Sequence, residues 1–514
     1  MRLNPRLFVF TMLFLTVACK PMDAASGPNC DARLSISPGT QNMVTTALKN
    51  EIVRTLSPVF FGFNLEWVDF QQDLWDSTKL RVKPEVIDWL KPFGGAVYRY
   101  PGGTGSNYLN WRDTVGRQDE RPLKKHADWL PPFAPGFGFD EYLNFVSEVG
   151  GNAWVVLNIF GSYDGEGDAK FLAQNAADWA SYAKQRASAG GVQVLRWELG
   201  NELDRGHNKW SPYKYVDIAK QVSKAVKQSA PDAKFVGMLQ DWPAQRAFSV
   251  SKYNHIVMAG LNDETQEFAH HLYYEGLSWE TVQNRMSNVC RSVEAAHSLK
   301  IKTPVFWVTE HARNMPDYKT EKERMPAWVK TSNLESALLA AEAYISATQI
   351  PEIESLFLHS LGTAHGPWPL FNSTKNGSLH PSAVYWAVRM LRESMLPNVL
   401  VSQGKSRNDE KSLGAHDVRA AILTDMDRRH YAVWAVNRSR SPTQLTLKIP
   451  ALKGKQVLTT YSYVGDSNKE ANNYASNDRV KPQESSGFLD FDSEGVAVIN
   501  LPSYSVSALR MALK

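Results

Sequence analysis

Between residues 58 and 359 the chain alternates short apolar runs with longer stretches of helical period. The apolar runs fall at 58–64, 95–100, 153–159, 194–199, 234–238, 267–273, 304–309 and 354–359. They are rich in Val, Phe, Trp and Leu. Several are apolar without alternation, as a strand buried on both faces of a parallel sheet requires. Helical patterns lie between most of them, clearest at 84–90, 139–149, 169–187, 213–229, 281–298 and 334–348. In 169–187, Leu172, Ala176, Trp179 and Tyr182 recur at helical spacing, a stripe suited to packing on a sheet. These strand and helix units predict an α/β chain with a (β/α)8 TIM barrel over 53–394. An open doubly wound sheet gives a similar alternation, but no Gly-rich phosphate loop follows the first run.

Over 395–514 the pattern changes. Segments 418–423, 431–437, 444–449, 456–463, 495–501 and 506–511 are short and often alternating, and turn clusters of Asn, Asp, Ser and Gly separate them. They predict a C-terminal antiparallel β-sandwich. Residues 30–52 add a strand to it, placed at 32–36. The polar, turn-rich stretch 466–485 reads as a surface loop.

A 514-residue chain that is 43% hydrophobic can bury a large core and a second domain, which excludes a disordered polypeptide. A net charge of +4 with no long basic run gives no reason to expect a nucleic-acid partner. At the N-terminus, Arg2 and Arg6 flank an apolar run over 7–18, too short to span a bilayer and suited to a signal-peptide core. It ends in Leu15-Thr16-Val17-Ala18-Cys19, similar to a lipoprotein cleavage site. On that reading 1–18 is the signal peptide and Cys19 the acylated first residue, the chain's one membrane attachment. Ordinary secretion with cleavage near Ala24-Ala25 is the alternative; both export the chain. Three Cys form no disulfide framework and no metal motif, and Cys30 and Cys290 either pair in an oxidising compartment or stay free thiols.

The candidate chemistry lies at the ends of two runs. In Arg196-Trp197-Glu198-Leu199-Gly200-Asn201-Glu202 an apolar run gives way to an Asn-Glu pair. In Val305-Phe306-Trp307-Val308-Thr309-Glu310-His311 another ends on Glu310. Side chains at the C-terminal ends of barrel strands face the catalytic mouth, so Glu202 and Glu310 converge there from the fourth and seventh strands. Two converging carboxyl groups are what glycoside hydrolysis needs, one protonated and one ionised. The charge of Glu310 is expected to raise the pKa of Glu202. A single Glu after a strand more commonly caps or salt-bridges a loop; the pair makes the catalytic reading the stronger one.

These strings resemble clan A retaining glycoside hydrolases. Trp197–Glu202 is similar to the acid/base motif of the family 51 α-L-arabinofuranosidases, as are Arg99-Tyr100-Pro101-Gly102-Gly103, Asn110-Trp111-Arg112-Asp113, Phe137-Gly138-Phe139-Asp140-Glu141-Tyr142 and Leu501-Pro502-Ser503-Tyr504-Ser505-Val506. The resemblance implies a carbohydrate substrate, Glu202 as acid/base, Glu310 as nucleophile, and neither metal nor organic cofactor. It also implies that Glu66 binds substrate hydroxyls and that Arg99 pairs with Glu310. Asn201 would bind the 2-hydroxyl, His271 and Tyr273 orient the nucleophile, and Trp368 form a sugar platform. As bare residues, Arg99 also fits a barrel-mouth salt bridge, and His270-His271 a buried hydrogen-bonded pair. Thr104-Gly105, Leu203-Asp204-Arg205-Gly206, the loop 161–167 and 207–212 depart from the family pattern. Other clan A specificities (β-glucuronidase, β-xylosidase, endoglucanase) and a catalytically silent surface glycan-binding protein therefore stay open. Arg205, His207 or Arg313 facing the sugar would indicate a uronic acid.

Overall fold

The computed structural model describes residues 30–46, 51–126, 131–206, 208–243, 247–277, 281–362, 366–373, 377–408, 416–465, 467 and 480–513. Residues 1–29, and with them the signal-peptide and Cys19 readings, lie outside the described residues, as does His207.

Eight parallel strands close into a barrel. They are β1 (Phe61–Asn64), β2 (Val97–Tyr100), β3 (Asn152–Leu157), β4 (Val194–Leu199), β5 (Phe235–Met238), β6 (Glu267–Tyr274), β7 (Val305–Arg313) and β8 (Ile353–His359). Neighbours pair in chain order, and β8 pairs with β1 to close the ring. The barrel interior is filled in two layers of different chemistry. The lower layer is apolar: Val97, Trp154, Val236, Ala269, Trp307 and Phe357 form a sealed plug. It is tight enough that a Cβ on Gly62 would lie 2.0 Å from the Phe357 ring. The upper layer is polar, and the Trp154 indole N–H joins the two by donating to Glu198 Oε2 at 2.8 Å.

β7 is longer than the run at 304–309, so Glu310 lies inside the strand rather than just past it. The register with β6 jumps between His270 (opposite Val308) and His271 (opposite Glu310). This bulge leaves Thr309 without a partner residue and turns both Thr309 and Glu310 inward, against the strict alternation of a regular strand.

Two further sheets form the C-terminal sandwich. One is antiparallel throughout, in the order Lys481–Phe491, Gly454–Val464, Ser505–Ala512, His430–Asn437, Val418–Thr424, Asn398–Leu400 and Ile52–Thr55. The other runs Ile36–Pro38, Ser402–Ser406, Asn42–Thr46, Thr443–Lys448 and Val496–Leu501. The N-terminal segment introduces two parallel pairs into it. The strand expected at 32–36 is instead the helix Cys30–Leu34, whose Cys30 and Leu34 bury one helical face. Cys30 is disulfide-bonded to Cys290 in the helix Thr281–Ser298. The strand Lys481–Phe491 overlaps the stretch read as a loop; it is an edge strand with only Leu489 and Phe491 buried, so it lacks the alternation that announces a strand.

Barrel and sandwich share a buried ionic cluster. Glu342, in the middle of the helix Leu334–Thr348, meets Arg438 at 3.1 Å, His416 at 3.0 Å and Arg419 at 3.4 Å from the sandwich side. Burial alone would raise the Glu342 pKa, but Arg438, His416 and Arg419 outweigh it and hold the carboxylate ionised. Glu342→Gln would leave the two guanidinium groups without their counter-charge, and removing one partner of such a buried set costs about 3–5 kcal/mol. Denaturant melts at pH 7 should show that loss, and an unchanged midpoint would contradict it. Because the carboxylate is depressed in the folded state, its contribution is fully present above the unfolded carboxylate pKa. It fades as pH falls through the folded one.

Candidate active site

Arg99, on β2, organises the upper layer. It is fully buried, and all five of its N–H groups are used. Nε and Nη2 grip Glu198 of β4 at 2.7 and 3.0 Å. Nη1 donates to Asn64 Oδ1 at 2.8 Å and Glu310 Oε1 at 2.7 Å, and Nη2 also donates to Asn201 Oδ1 at 2.7 Å. Glu198 accepts further from Trp154 and from Thr309 Oγ1.

Glu310 receives Arg99 on Oε1 and the Tyr273 hydroxyl on Oε2 at 2.6 Å. Burial alone would raise its pKa. The positive charges of His271, of His359 when protonated and of Arg99, with the Tyr273 bond, reverse that and hold it well below the usual carboxylate range. Burial and the Glu310 charge push the Tyr273 hydroxyl up, so it remains a donor.

Glu202 follows a left-handed turn at Gly200 and itself has φ +47°. A Glu202 oxygen and a Glu310 oxygen lie within 4.8 Å of one another, in a group that includes His271. His271 Nδ1 bonds Glu202 Oε1 at 2.8 Å and stands 3.6 Å from Glu310 Oε2, so it attaches to Glu202, whereas Tyr273 attaches to Glu310. Arg205 Nη1 also donates to Glu202 Oε1 at 3.2 Å. These contacts overturn the expectation of a raised Glu202. Burial and Glu310 do push it up, but Arg205 and His271 prevail and its pKa falls. His271, buried but flanked by Glu310 and Glu202, is correspondingly raised.

Asn201 is fixed at both ends. Its backbone N–H donates to Asn107 Oδ1 and its carbonyl accepts from Asn107 Nδ2. Since Arg99 only donates, Oδ1 must face it, and the buried Nδ2 is left without a partner, a donor available to a bound hydroxyl. Glu66 has a positive φ of 50°. One of its oxygens lies within 4.8 Å of donor atoms of Glu310 and His359. Burial, then Glu310, raise its pKa well above the usual carboxylate value, which favours the protonated, donating form, while Oε1 accepts from Asn64 Nδ2 at 3.2 Å. Gly103 makes room for it: φ is +56° there, and a Cβ would meet Glu66 Oε1 at 1.7 Å.

Trp368 lies across the mouth, its ring 5.7 Å from Tyr273 and 4.9 Å from His359, with Nε1 donating to Arg313 O. Arg313 is engaged by Glu335 at 2.9 Å and by Lys330 O, and Arg205 by Glu202 and Asp204. Sequence reasoning missed Asn64, Glu198 and His359. Asn64 and His359 are the last residues of their runs, the signal that could have found them; Asn64 Nδ2 donates to His359 Nδ1 at 2.7 Å.

Two groups, Glu66–Glu310–His359 and Glu202–His271–Glu310, have donor atoms close enough to hold a cation. Both share Glu310, and the fixed charge of Arg99 2.7 Å away disfavours a second cation there.

Residues 89–289 match the family described as Alpha-L-arabinofuranosidase 1 domain. A 203-residue stretch is 25% identical to an intracellular exo-α-(1→5)-L-arabinofuranosidase of Streptomyces lividans, covering 38% of this chain and 30% of that one. The chain spans about a third of the length of the curated relatives it matches. Among solved structures, an α-L-arabinofuranosidase of Thermotoga maritima superposes with a TM-score of 0.75 at 16% identity, over 92% of this chain and 100% of that one. A GH51 arabinofuranosidase of Xanthomonas axonopodis pv. citri gives 0.74 at 16%, over 92% and 99%. At such identity the structures establish the fold. The sequence matches and the fold agree on a likeness to the family 51 arabinofuranosidases.

Proposed function

We propose that the protein is a retaining glycoside hydrolase of α-L-arabinofuranosidase type, acting on plant or algal glycans after export. The observation that carries this reading is the approach of Glu202 and Glu310 to within 4.8 Å, with Glu310 held ionised. Retaining enzymes place their carboxyl groups about 5–5.5 Å apart, and inverting ones leave room for a water between them at roughly 6.5–9.5 Å. Glu310 attacks the anomeric carbon as the leaving oxygen takes a proton from Glu202. Water, deprotonated by Glu202, then displaces Glu310. The free Asn201 amide and the protonated Glu66 bind ring hydroxyls. The arabinofuranoside class is supported by the domain match and by the names of the relatives. The uronide alternative draws no support from Arg205 or Arg313, each already facing carboxylates of this chain. The Cys30–Cys290 disulfide supports export to an oxidising compartment.

Incubation with p-nitrophenyl α-L-arabinofuranoside should release p-nitrophenol, and NMR should find the first-formed arabinose in the configuration of the substrate. An inverted first product, or no release from any aryl glycoside, would sink the reading.

The proton that Glu202 delivers is shared with His271 across 2.8 Å. The acid limb of kcat/KM follows Glu310 and should lie below the usual carboxylate range. The alkaline limb follows loss of the shared proton; since His271 is raised, it should lie above the ordinary imidazole pKa. His271→Asn should move the alkaline limb to lower pH, because Glu202 then holds the proton alone beside Arg205. An alkaline limb that stays in place would show that His271 does not share it.

A further inference from the structure

We propose that the cleft beside the β3–β4 connection is a distal subsite holding a further neutral sugar unit of the glycan being cleaved. The proposal rests on the glycosidase reading and extends it beyond the catalytic mouth. A cavity of about 630 Å³ opens between the loop after β2 and the hairpin Gly161–Ser162/Gly165–Glu166 that follows β3. That volume falls within the roughly 300–1,000 Å³ of small-molecule sites. The hairpin belongs to a segment that departs from the family 51 pattern.

Its walls have the chemistry of sugar recognition. Tyr108 and Tyr163 both line it and pack against one another with ring centroids 4.2 Å apart, and the Tyr163 hydroxyl donates to His126 O at 2.7 Å. Phe171, in the first turn of the helix Ala169–Ser188, is 63% exposed on the cleft lining, an unusual position for so large an apolar ring. His126 is buried and lines the same cleft, its ring packed edge-on against Trp67 and beside Phe133. Flat rings beside polar lining residues such as Asn110 and Asp164 suit a pyranose or furanose, which offers an apolar face and a rim of hydroxyls. Charge selects a neutral unit. Lys124 is paired with Asp113 at 2.7 Å, and Glu166 is held by Trp210 Nε1 and Lys214. Lys125 lies over the Tyr163 ring at 5.7 Å, and Asp164 on the same lining matches its formal charge with one of opposite sign, so the lining carries no excess of positive charge to favour a uronate or a phosphate.

One chain segment joins the lining of the cleft to the catalytic mouth. Asn107 clamps the backbone of Asn201, and the next residue, Tyr108, lines the cleft. Asn158, just past β3, lines it too and donates to Leu109 O at 3.1 Å.

The test is calorimetric binding of tetrasaccharides from arabinan and arabinoxylan to the unmodified protein, to Phe171→Ser and to Tyr163→Ala. In parallel, the ratio of kcat/KM for a tetrasaccharide to that for the aryl monoglycoside is measured. Each variant should weaken Kd about tenfold, and the ratio should fall by a similar factor. Equal Kd values and equal ratios in both variants, or no binding by the unmodified protein, would overturn the subsite. Weakened binding in the variants without hydrolysis of any substrate would uphold the subsite and defeat the glycosidase reading. Phe171 is exposed, so its replacement tests binding without loss of the fold.

Discussion

Glu310→Ala should lower kcat on the order of 10⁴–10⁶-fold, since loss of a covalent nucleophile removes the step on which the route depends. The vacated space then admits a small anion. Azide can attack the anomeric carbon from the face that Glu310 used, while Glu202 protonates the departing oxygen. One displacement replaces two, so the product is a glycosyl azide of inverted configuration. Azide should restore turnover of an aryl glycoside with a good leaving group, and NMR of the adduct reads the inversion. Rescue separates a missing nucleophile from a damaged fold, which azide cannot repair. Near-normal turnover of Glu310→Ala would remove Glu310 from the nucleophile position.

The second large effect is expected at Arg99. Arg99→Met keeps most of the volume but withdraws five hydrogen bonds, leaving Glu198 buried without its counter-charge and Glu310 without its permanent one. Breaking a buried pair in this way costs about 3–5 kcal/mol of stability. Catalysis should fall as well, on the order of 10³-fold, with the acid limb of the pH profile moving up as Glu310 loses its strongest fixed donor. Adding Glu198→Gln to Arg99→Met should recover part of the stability and little of the rate, because the unpaired buried charge is gone but the nucleophile is still unsupported. Recovery of both together would mean that Arg99 acts only as a structural ion pair. Arg99→Lys keeps the charge but cannot reach four partners at once, so it should resemble Arg99→Met in rate more than in stability.

The carboxylate pair was legible in the sequence because each Glu closes an apolar run, and strand ends point at the mouth. Asn64 and His359 also close their runs, yet their role depends on β8 pairing with β1, a contact between distant segments that periodicity does not report. Glu198 sits in mid-run and reads as one more strand residue; only ring closure sets it opposite Arg99. The charge state of Glu202 was misread for a local reason. Glu202 has a positive φ and Arg205 lies three residues on, which brings a guanidinium against the carboxylate that sequence reasoning had left to Glu310 alone. Of the sandwich, the alternating strands were visible. The exposed strand Lys481–Phe491 was not, and the N-terminal contribution was placed at 32–36 instead of at Ile36–Pro38, Asn42–Thr46 and Ile52–Thr55, since pairing rather than pattern makes these segments strands.

Those N-terminal strands also set the order in which the protein can be built. Asn42–Thr46 lies between Ser402–Ser406 and Thr443–Lys448, and Asn42 bonds a residue 401 positions later. Ile52–Thr55 likewise waits for Asn398–Leu400. These strands thus have partners far downstream, whereas within the barrel only the closing pair of β8 with β1 joins distant segments and every other pair joins strands that follow one another in the chain. The barrel can assemble during synthesis while the sandwich cannot close until nearly the whole chain is available. A fragment cut after the barrel but keeping 36–46 would present open strand edges and tend to aggregate.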